Sequence, residues 1–297
     1  MTHYRRPARL SGIVLHEVNW FIEESGKDSG AMGSRGDLWR SEMRELYCLN
    51  VGCADATVII SDNCTFLVDC HDIESYTHLL PASKQIRGVF ITHQHRNHYS
   101  GLDYLRQKGF SINCLIYSPY QRRHGDASVS VEEWNEFNSH CEYFKSNGTG
   151  LYAPRRQSSY EKPFWDIDGV KFWMLGPDES IASSDTAELH DASLVFRADL
   201  GERKCTFTGD ASDVSLNYIA KNTTNICGDI LHASHHGSLN GADLDFIRKC
   251  NIQFTVISTA GGIHESIPDA TALRRYADNT AKEVYRTDKD GSIKCTF

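Results

Sequence analysis

Hydrophobic and polar residues alternate in short bursts along most of this chain, and the bursts predict its elements. "RELYCLNVG", "ATVIISD" and "CTFLVDC" are β-branched and aromatic runs of strand length, separated by Gly, Asp and Asn turn signals. "GVFIT" is a further strand, followed by a histidine-rich loop and a helix over "SGLDYLRQKG" that Gly109 stops. "INCLIYS" returns to strand spacing. From about residue 120 to 165 the chain is polar and irregular except for "VEEWNEFNSHCEYFKS", where Trp134, Phe137 and Cys141 fall at helical spacing and predict a core face. The second half repeats the pattern of the first. It has strands over "GVKFWML", "ASLVFRAD", "KCTFTGD", "DILHASHHG" and "FTVISTA", with helices near "ADLDFIRKC" and over "TALRRYADN". "VYRTDKDGSIKCTF" predicts a closing hairpin around Asp290-Gly291.

Two strand-rich halves with interspersed helices predict an α/β (α+β) domain of two packed sheets flanked by helices. No repeat of solenoid type interrupts it. Residues 1–45 are less regular: "IVLHEVNWFI" reads as a strand or a short helix, and "EESGKDSGAMGSRGD" as a flexible loop.

Composition narrows the setting. No window reaches the roughly 18 consecutive apolar residues that a membrane span needs, and "MTHYRRPARLSG" has no apolar core of a secretory signal. The ten cysteines form no CxxC pair, which disfavours a zinc ribbon and fits thiols in a reducing compartment. A cytoplasmic chain is expected, with no membrane partner. The net charge of −8 excludes a surface that is basic throughout. It leaves room for a local basic groove at Arg122-Arg123 and Arg155-Arg156, whose plainer reading is solvated loop arginine.

The chemistry concentrates in histidine. In "ITHQHRNHYSGL" a strand delivers His93 and His95 to a loop where an i, i+2 pair can face one way, and His98 follows as a helix begins. Imidazole is the commonest neutral ligand of borderline metals, and three from one loop can fill most of a zinc-type sphere. "CTFTGD" ends a strand at Asp210, where a carboxylate can bridge two cations. "LHASHHGS" brings His235 and His236 to another strand end, with Gly237 allowing close backbone approach. "LHDASLVF" adds His190 and Asp191 ahead of a strand, and His264 lies in a loop after "FTVISTAGG".

In their order these motifs resemble the metallo-β-lactamase superfamily, marked by HxHxDH followed by distant histidine and aspartate ligands. Within it the chain is most similar to the hydrolase domain of ComEC-type competence proteins, through "LNVGCADATVII" with "FLVDC", "ITHQHRNHYSGL", "DASLVF", "FTGDAS", "HASHHGS" and "YRTDKDGSI". The resemblance runs from about residue 46 to 297 and leaves residues 1–45 outside, as part of the first sheet or as an arm for a protein partner. It implies a four-layer αββα metallo-β-lactamase sandwich holding one or two divalent ions, zinc or manganese. By that likeness His93 and His95 bind one ion, His98 and His236 the other, and Asp210 bridges. Asp191 or His190 completes the first site. Asp55 and Asp69 orient ligands from behind, and His235 contacts a substrate phosphate. Ser193, Ser238 and His264 match family positions for which a structural role is as good a reading.

One departure stands out: Asn97 occupies the position of the family's aspartate ligand. A neutral amide is a poorer ligand, so the second site is expected to hold its ion less tightly, with a preference for a harder ion such as manganese. A silent, catalytically impaired binding subunit and a deliberate inactivating substitution are the competing readings. The function expected is a metal-dependent phosphodiesterase or nuclease using a metal-bound hydroxide, with DNA as a candidate substrate and the four arginines as its contacts. A lactone- or ester-type metallo-hydrolase is the alternative. Assembly state is not legible in the sequence.

Overall fold

The computed structural model describes residues 9–10, 13–19, 44–62, 64–184, 187–224, 226, 228–262 and 266–297. Its strands in the first half are β1 (Arg9–Leu10), β2 (Ile13–Asn19), β3 (Arg44–Cys48), β4 (Ala56–Ser61), β5 (Cys64–Cys70), β6 (Gln85–Ile91), β7 (Ser111–Tyr117) and β8 (Gly150–Tyr152). The second half adds β9 (Trp165–Ile167), β10 (Val170–Gly176), β11 (Val195–Leu200), β12 (Arg203–Phe207), β13 (Ile230–His232), β14 (Ile252–Ile257), β15 (Thr280–Arg286) and β16 (Ser292–Thr296). Helices lie between them: α1 (Arg96–Tyr99), α2 (Gly101–Gln107), α3 (Val131–Ser146), α4 (Glu179–Ala182), α5 (Asp213–Asn222), α6 (Leu244–Cys250), α7 (Ala270–Asn279) and α8 (Thr287–Asp290).

Side chains alternate across a strand with period two, and here both faces of the central strands are buried. Tyr47, Val58, Leu67 and Val89 meet Leu102 and Leu105 of α2 and Phe137, Cys141 and Phe144 of α3. Their neighbours Leu46, Ile59, Phe66 and Phe90 meet Phe172 and Phe196 of the other sheet, with the Phe90 ring 4.6 Å from Phe196 and 4.7 Å from Phe172. On the far side, Val195, Leu231 and Ile257 pack on Leu216, Ile219, Phe246 and Tyr276 of α5, α6 and α7. Three apolar layers separate four structural layers, the αββα sandwich expected. Each fully buried Leu or Phe in them contributes roughly 1.5–3 kcal/mol.

The first sheet runs β1-β2-β16-β3-β4-β5-β6-β7-β8 and the second β15-β14-β13-β12-β11-β10-β9. Both are mixed. β5 to β8 are parallel neighbours, as are β12 to β15, and the strands β3-β4-β5 and β9-β10-β11-β12 pair antiparallel. The two parallel sets place their carboxyl ends along one edge of the sandwich, which is where loops can assemble a site.

The closing hairpin is corrected by this topology. β15 pairs with β14 in the second sheet, whereas β16 lies between β2 and β3 in the first. Asp290-Gly291 does mark a turn, but it ends the short helix α8, and Gly291 (φ 76, ψ −158) adopts a backbone few other residues tolerate. α3 spans the expected residues and begins with a capping box between Ser130 and Glu133. Trp134 leaves the stripe of Phe137 and Cys141 and packs with Tyr120, Val129 and Leu189 under the loop that follows β7. The nine described cysteines are free thiols. Among the described residues, no helix is long and apolar enough to cross a membrane.

Candidate metal centre

Two strand ends are clamped together before any histidine appears. Asp69, near the end of β5, accepts hydrogen bonds from Thr92 N (2.8 Å) and Thr92 Oγ1 (2.7 Å), just past the end of β6. The chain therefore leaves β6 in a fixed direction, carrying His93 and His95, and α1 then brings His98 round. Gly101 lets the next helix start against β5, since a Cβ there would lie 1.9 Å from Cys70 O. From the second sheet, Gly209 (φ 48) passes so close to Thr92 that a Cβ would lie 2.4 Å from Thr92 Cβ, and Asp210 follows it. After β13, His235 and His236 both take left-handed backbone angles (φ 49 and 53). Such residues cost about 1–3 kcal/mol each and gather at functional sites.

Five imidazoles converge on the Asp210 carboxylate. Nε2 of His98, His93, His236, His235 and His190 lies 3.4, 3.6, 3.6, 3.8 and 4.0 Å from its oxygens. His95 completes the circle, its Nδ1 at 3.0 Å from His93 Nε2 and 3.3 Å from His190 Nε2. Two sets of ligand atoms share Asp210: His93, His95 and His190 on one side, His98 and His236 on the other. The outward nitrogens are spoken for. His95 Nε2 donates to Ser128 O (2.7 Å), His236 Nδ1 to Ser258 O (3.1 Å), and His98 Nδ1 faces Asp69 Oδ2 (2.8 Å). Such partners select the tautomer and leave the inward nitrogen's lone pair free for a metal.

Electrostatics follow from burial and from Asp210. Burial holds His93, His190 and His235 below the ordinary imidazole value, His190 at about 3. Burial acts the same way on His98, but Asp210 and Asp69 outweigh it and raise His98 well above that value. Burial also penalises the Asp210 carboxylate, and His236, His98 and His93 outweigh that, holding it well below the usual carboxylate range. Burial raises Asp69 in spite of the His98 imidazole. Asp210 Oδ1 and His98 Nε2 are buried with no hydrogen-bond partner. An unpartnered buried carboxylate oxygen is costly, and nitrogen and oxygen donors set this close suit a divalent cation.

Of the other residues singled out in sequence, Asp55 lies behind the cluster with both carboxylate oxygens unpartnered. They face His232 Nε2 at 3.6 Å and Nδ1 of His98 and His236 at 3.8 Å. Between His190 and Asp191 the structure brings only His190 to the cluster. The Asp191 carboxylate accepts from Ser212 Oγ (2.5 Å) and Glu188 N (3.0 Å) instead. Asn97 reaches His236, with Nδ2 3.2 Å from its Nε2. Ser193 Oγ donates to Thr208 O and Ser238 Oγ accepts from Gly241 N, both bracing backbone. His264 lies outside the described residues. The arginines are engaged within the chain: Arg122 with Val129 O and Asp126 O, Arg123 with Ala187 O, Arg155 with Glu179, Arg156 with Thr223 and Asn222. Sequence reading missed Ser128, Ser258 and His232. Ser128 is a node, since its hydroxyl also accepts from Leu189 N (3.1 Å), the residue before His190.

No family model matches the chain, and no curated protein does either. Solved structures do resemble it. The metallo-beta-lactamase fold protein YhfI from Bacillus subtilis superimposes with a TM-score of 0.53 at 12% identity, over 86% of this chain and 100% of that one. CmlA, a diiron beta-hydroxylase from Streptomyces venezuelae, gives 0.54 at 12% identity over 82% of this chain. This chain spans about half of CmlA, 52% of its length. The fold is that of the metallo-β-lactamases. A hydroxylase on the same fold shows that fold alone does not fix the reaction.

Proposed function

We propose that this protein is a metal-dependent hydrolase acting on phosphodiesters, as a phosphodiesterase or nuclease with zinc or manganese. The observation that carries this reading is the ring of imidazoles around Asp210, with Asp210 Oδ1 and His98 Nε2 buried and unpartnered. His93, His95, His190 and Asp210 would hold one ion, and His98, His236 and Asp210 face a second position. The chemistry such an ion would supply there is a coordinated water of pKa about 7 and an offset to charge on substrate oxygens.

The chain's own residues prepare the rest. Ser128 O and Ser258 O fix the tautomers of His95 and His236, and Asp69 holds His98 against rotation. His235 belongs to neither set of ligand atoms. Its ring lies 4.5 Å from that of His190 and tilted to it, and 19% of its side chain is exposed, so it is placed to donate a hydrogen bond to a substrate oxygen. A phosphoryl group offers more such oxygens than a carbonyl, which favours a phosphodiester over an ester or lactone. The likeness of the motif order to ComEC-type hydrolase domains points the same way and makes DNA the polymer to try. The engaged arginines do not add to that case.

Hydrolysis of bis-p-nitrophenyl phosphate and linear DNA with added Mn²⁺ or Zn²⁺ tests the reading, with p-nitrophenyl acetate and a lactone alongside. Turnover of the phosphodiesters that falls sharply in His235→Ala is expected. Turnover of the acyl substrates alone would replace the phosphodiester reading with the ester one. Asn97 favours a second reading, a metal-binding subunit without activity, because its amide sits where a charged ligand is expected. Stoichiometric metal binding with no turnover of any of these substrates would establish that one.

A further inference from the structure

Asn97 is doing something more definite than failing to be an aspartate. Its Nδ2 lies 3.2 Å from Cys53 O and 3.2 Å from His236 Nε2. A backbone carbonyl only accepts, so Cys53 O fixes which end of the amide points inward: the NH₂ group. His236 Nδ1 lies 3.1 Å from Ser258 O, a second pure acceptor, so Nδ1 carries the ring hydrogen and Nε2 the lone pair. One hydrogen of the Asn97 amide goes to Cys53 O and the other caps that lone pair. Flipping the amide would set its oxygen against Cys53 O. Flipping the tautomer as well would set a bare Nδ1 against Ser258 O. Only one arrangement satisfies all three contacts.

The consequence differs on the two sides of Asp210. His93, His95, His190 and Asp210 supply four donors, more than the three protein ligands that suffice for a catalytic zinc site. On the other side His98 Nε2 and Asp210 Oδ1 have no hydrogen-bond partner, but the nitrogen that His236 would offer is already hydrogen-bonded. Resting on the reading of this cluster as a metal centre, we infer that Asn97 is a latch on His236: the protein holds one ion firmly, at His93, His95, His190 and Asp210, and takes a second only when the Asn97–His236 bond opens. The amide is a competitor for the second ion's ligand and not a weak ligand itself.

The two roles order the variants differently. Asn97→Ala removes the competitor and adds no ligand, so second-ion affinity rises, about tenfold for the loss of one hydrogen bond of ordinary strength. Asn97→Asp removes the competitor and adds a charged ligand, so affinity rises about 100-fold. A weak amide ligand would instead make Asn97→Ala bind the second ion worse than wild type. Co²⁺ titration of the metal-free proteins, by equilibrium dialysis and visible absorption, reads both affinities without any substrate. One firm ion in wild type and the order Asp, Ala, Asn for the second support the latch. Two ions of equal affinity in wild type, or Ala falling below Asn, overturn it while leaving the metal centre intact. No bound ion in any protein overturns the latch and the metallohydrolase reading together. Asn97→Leu, which keeps the volume and likewise removes the amide without adding a ligand, decides the matter where Asn97→Ala does not fold: second-ion affinity above wild type supports the latch and affinity below it overturns it.

Discussion

The two sides of the cluster share Asp210 and are built in opposite ways. The side of His93, His95 and His190 has only His93 fully buried, and its other two imidazoles are braced by the loop that follows β7, through Ser128. The side of His98 and His236 is buried throughout and braced by the sheets themselves, through Asp69, Thr92 and Ser258. One side is held by a loop and partly exposed; the other is part of the packed interior. Changes on the first side should alter ion binding and leave stability nearly untouched, whereas changes on the second should cost stability as well.

The largest effect erases the contrast. Asp210→Ala removes the one group both sides use, and the hydrolysis proposed for this centre should fall on the order of a thousandfold. Metal content of the purified variant should drop below that of wild type under the same dialysis. Retained ion and retained activity in that variant would show that the two sides do not meet at Asp210.

Two variants of intermediate effect test the contrast directly. His190→Ala should weaken ion binding strongly with little change in thermal midpoint, because its ring stands partly in solvent. Asp69→Asn should destabilise the metal-free protein by about 2 kcal/mol, since an amide cannot accept from Thr92 N, Thr92 Oγ1 and His98 at once. Thermal unfolding of both metal-free variants gives the comparison, and equal midpoints would break it. A smaller effect belongs to Ser128→Ala. The His95 contact is with the Ser128 backbone and survives, but the hydroxyl that accepts from Leu189 N is lost. First-ion affinity should fall about tenfold, read by the same dialysis.

The buried side was the more legible in sequence, in its ligands His98 and His236 and its support Asp69, whereas the loop side left His190 unresolved from Asp191 and its support Ser128 unseen. His93, His95 and His98 are close in the chain and follow an obvious strand, so spacing alone announces them. Ser128 carries no such signal, because what matters is its carbonyl, which every residue has. His190 and Asp191 are adjacent and point opposite ways from one short 3-10 turn, a choice that spacing cannot make. The same limit explains the closing hairpin. Asp290-Gly291 is a genuine turn signal, but pairing with β2 and β3 depends on strands far away in sequence, and it took β16 to the other sheet. α5 was missed because "DVSLNYIAKN" offers a short apolar stripe, Leu216, Ile219 and Ala220, amid polar residues. The strands of the central sheets were legible because alternation is local and each run is bounded by its own turn residues.

The smallest effect lies outside the cluster and has to be separated before pH is used to compare its two sides. His140 sits on α3, 4% exposed, with neither ring nitrogen hydrogen-bonded. Burial lowers its pKa below the ordinary 6.5, while Asp103 and Glu136 favour the charged ring and Arg106 and Arg96 oppose it. Between the lowered folded value and the ordinary one, the unfolded chain binds a proton that the folded chain does not. Stability therefore rises with pH across that window and falls as acid is added below about pH 6.5. His140→Phe keeps a ring of similar size in the same apolar setting and removes the titration. Urea midpoints of the metal-free proteins at about pH 7 and about pH 5 should differ less in the variant than in wild type. An unchanged difference would assign the acid sensitivity elsewhere, with the histidines around Asp210 the first to test.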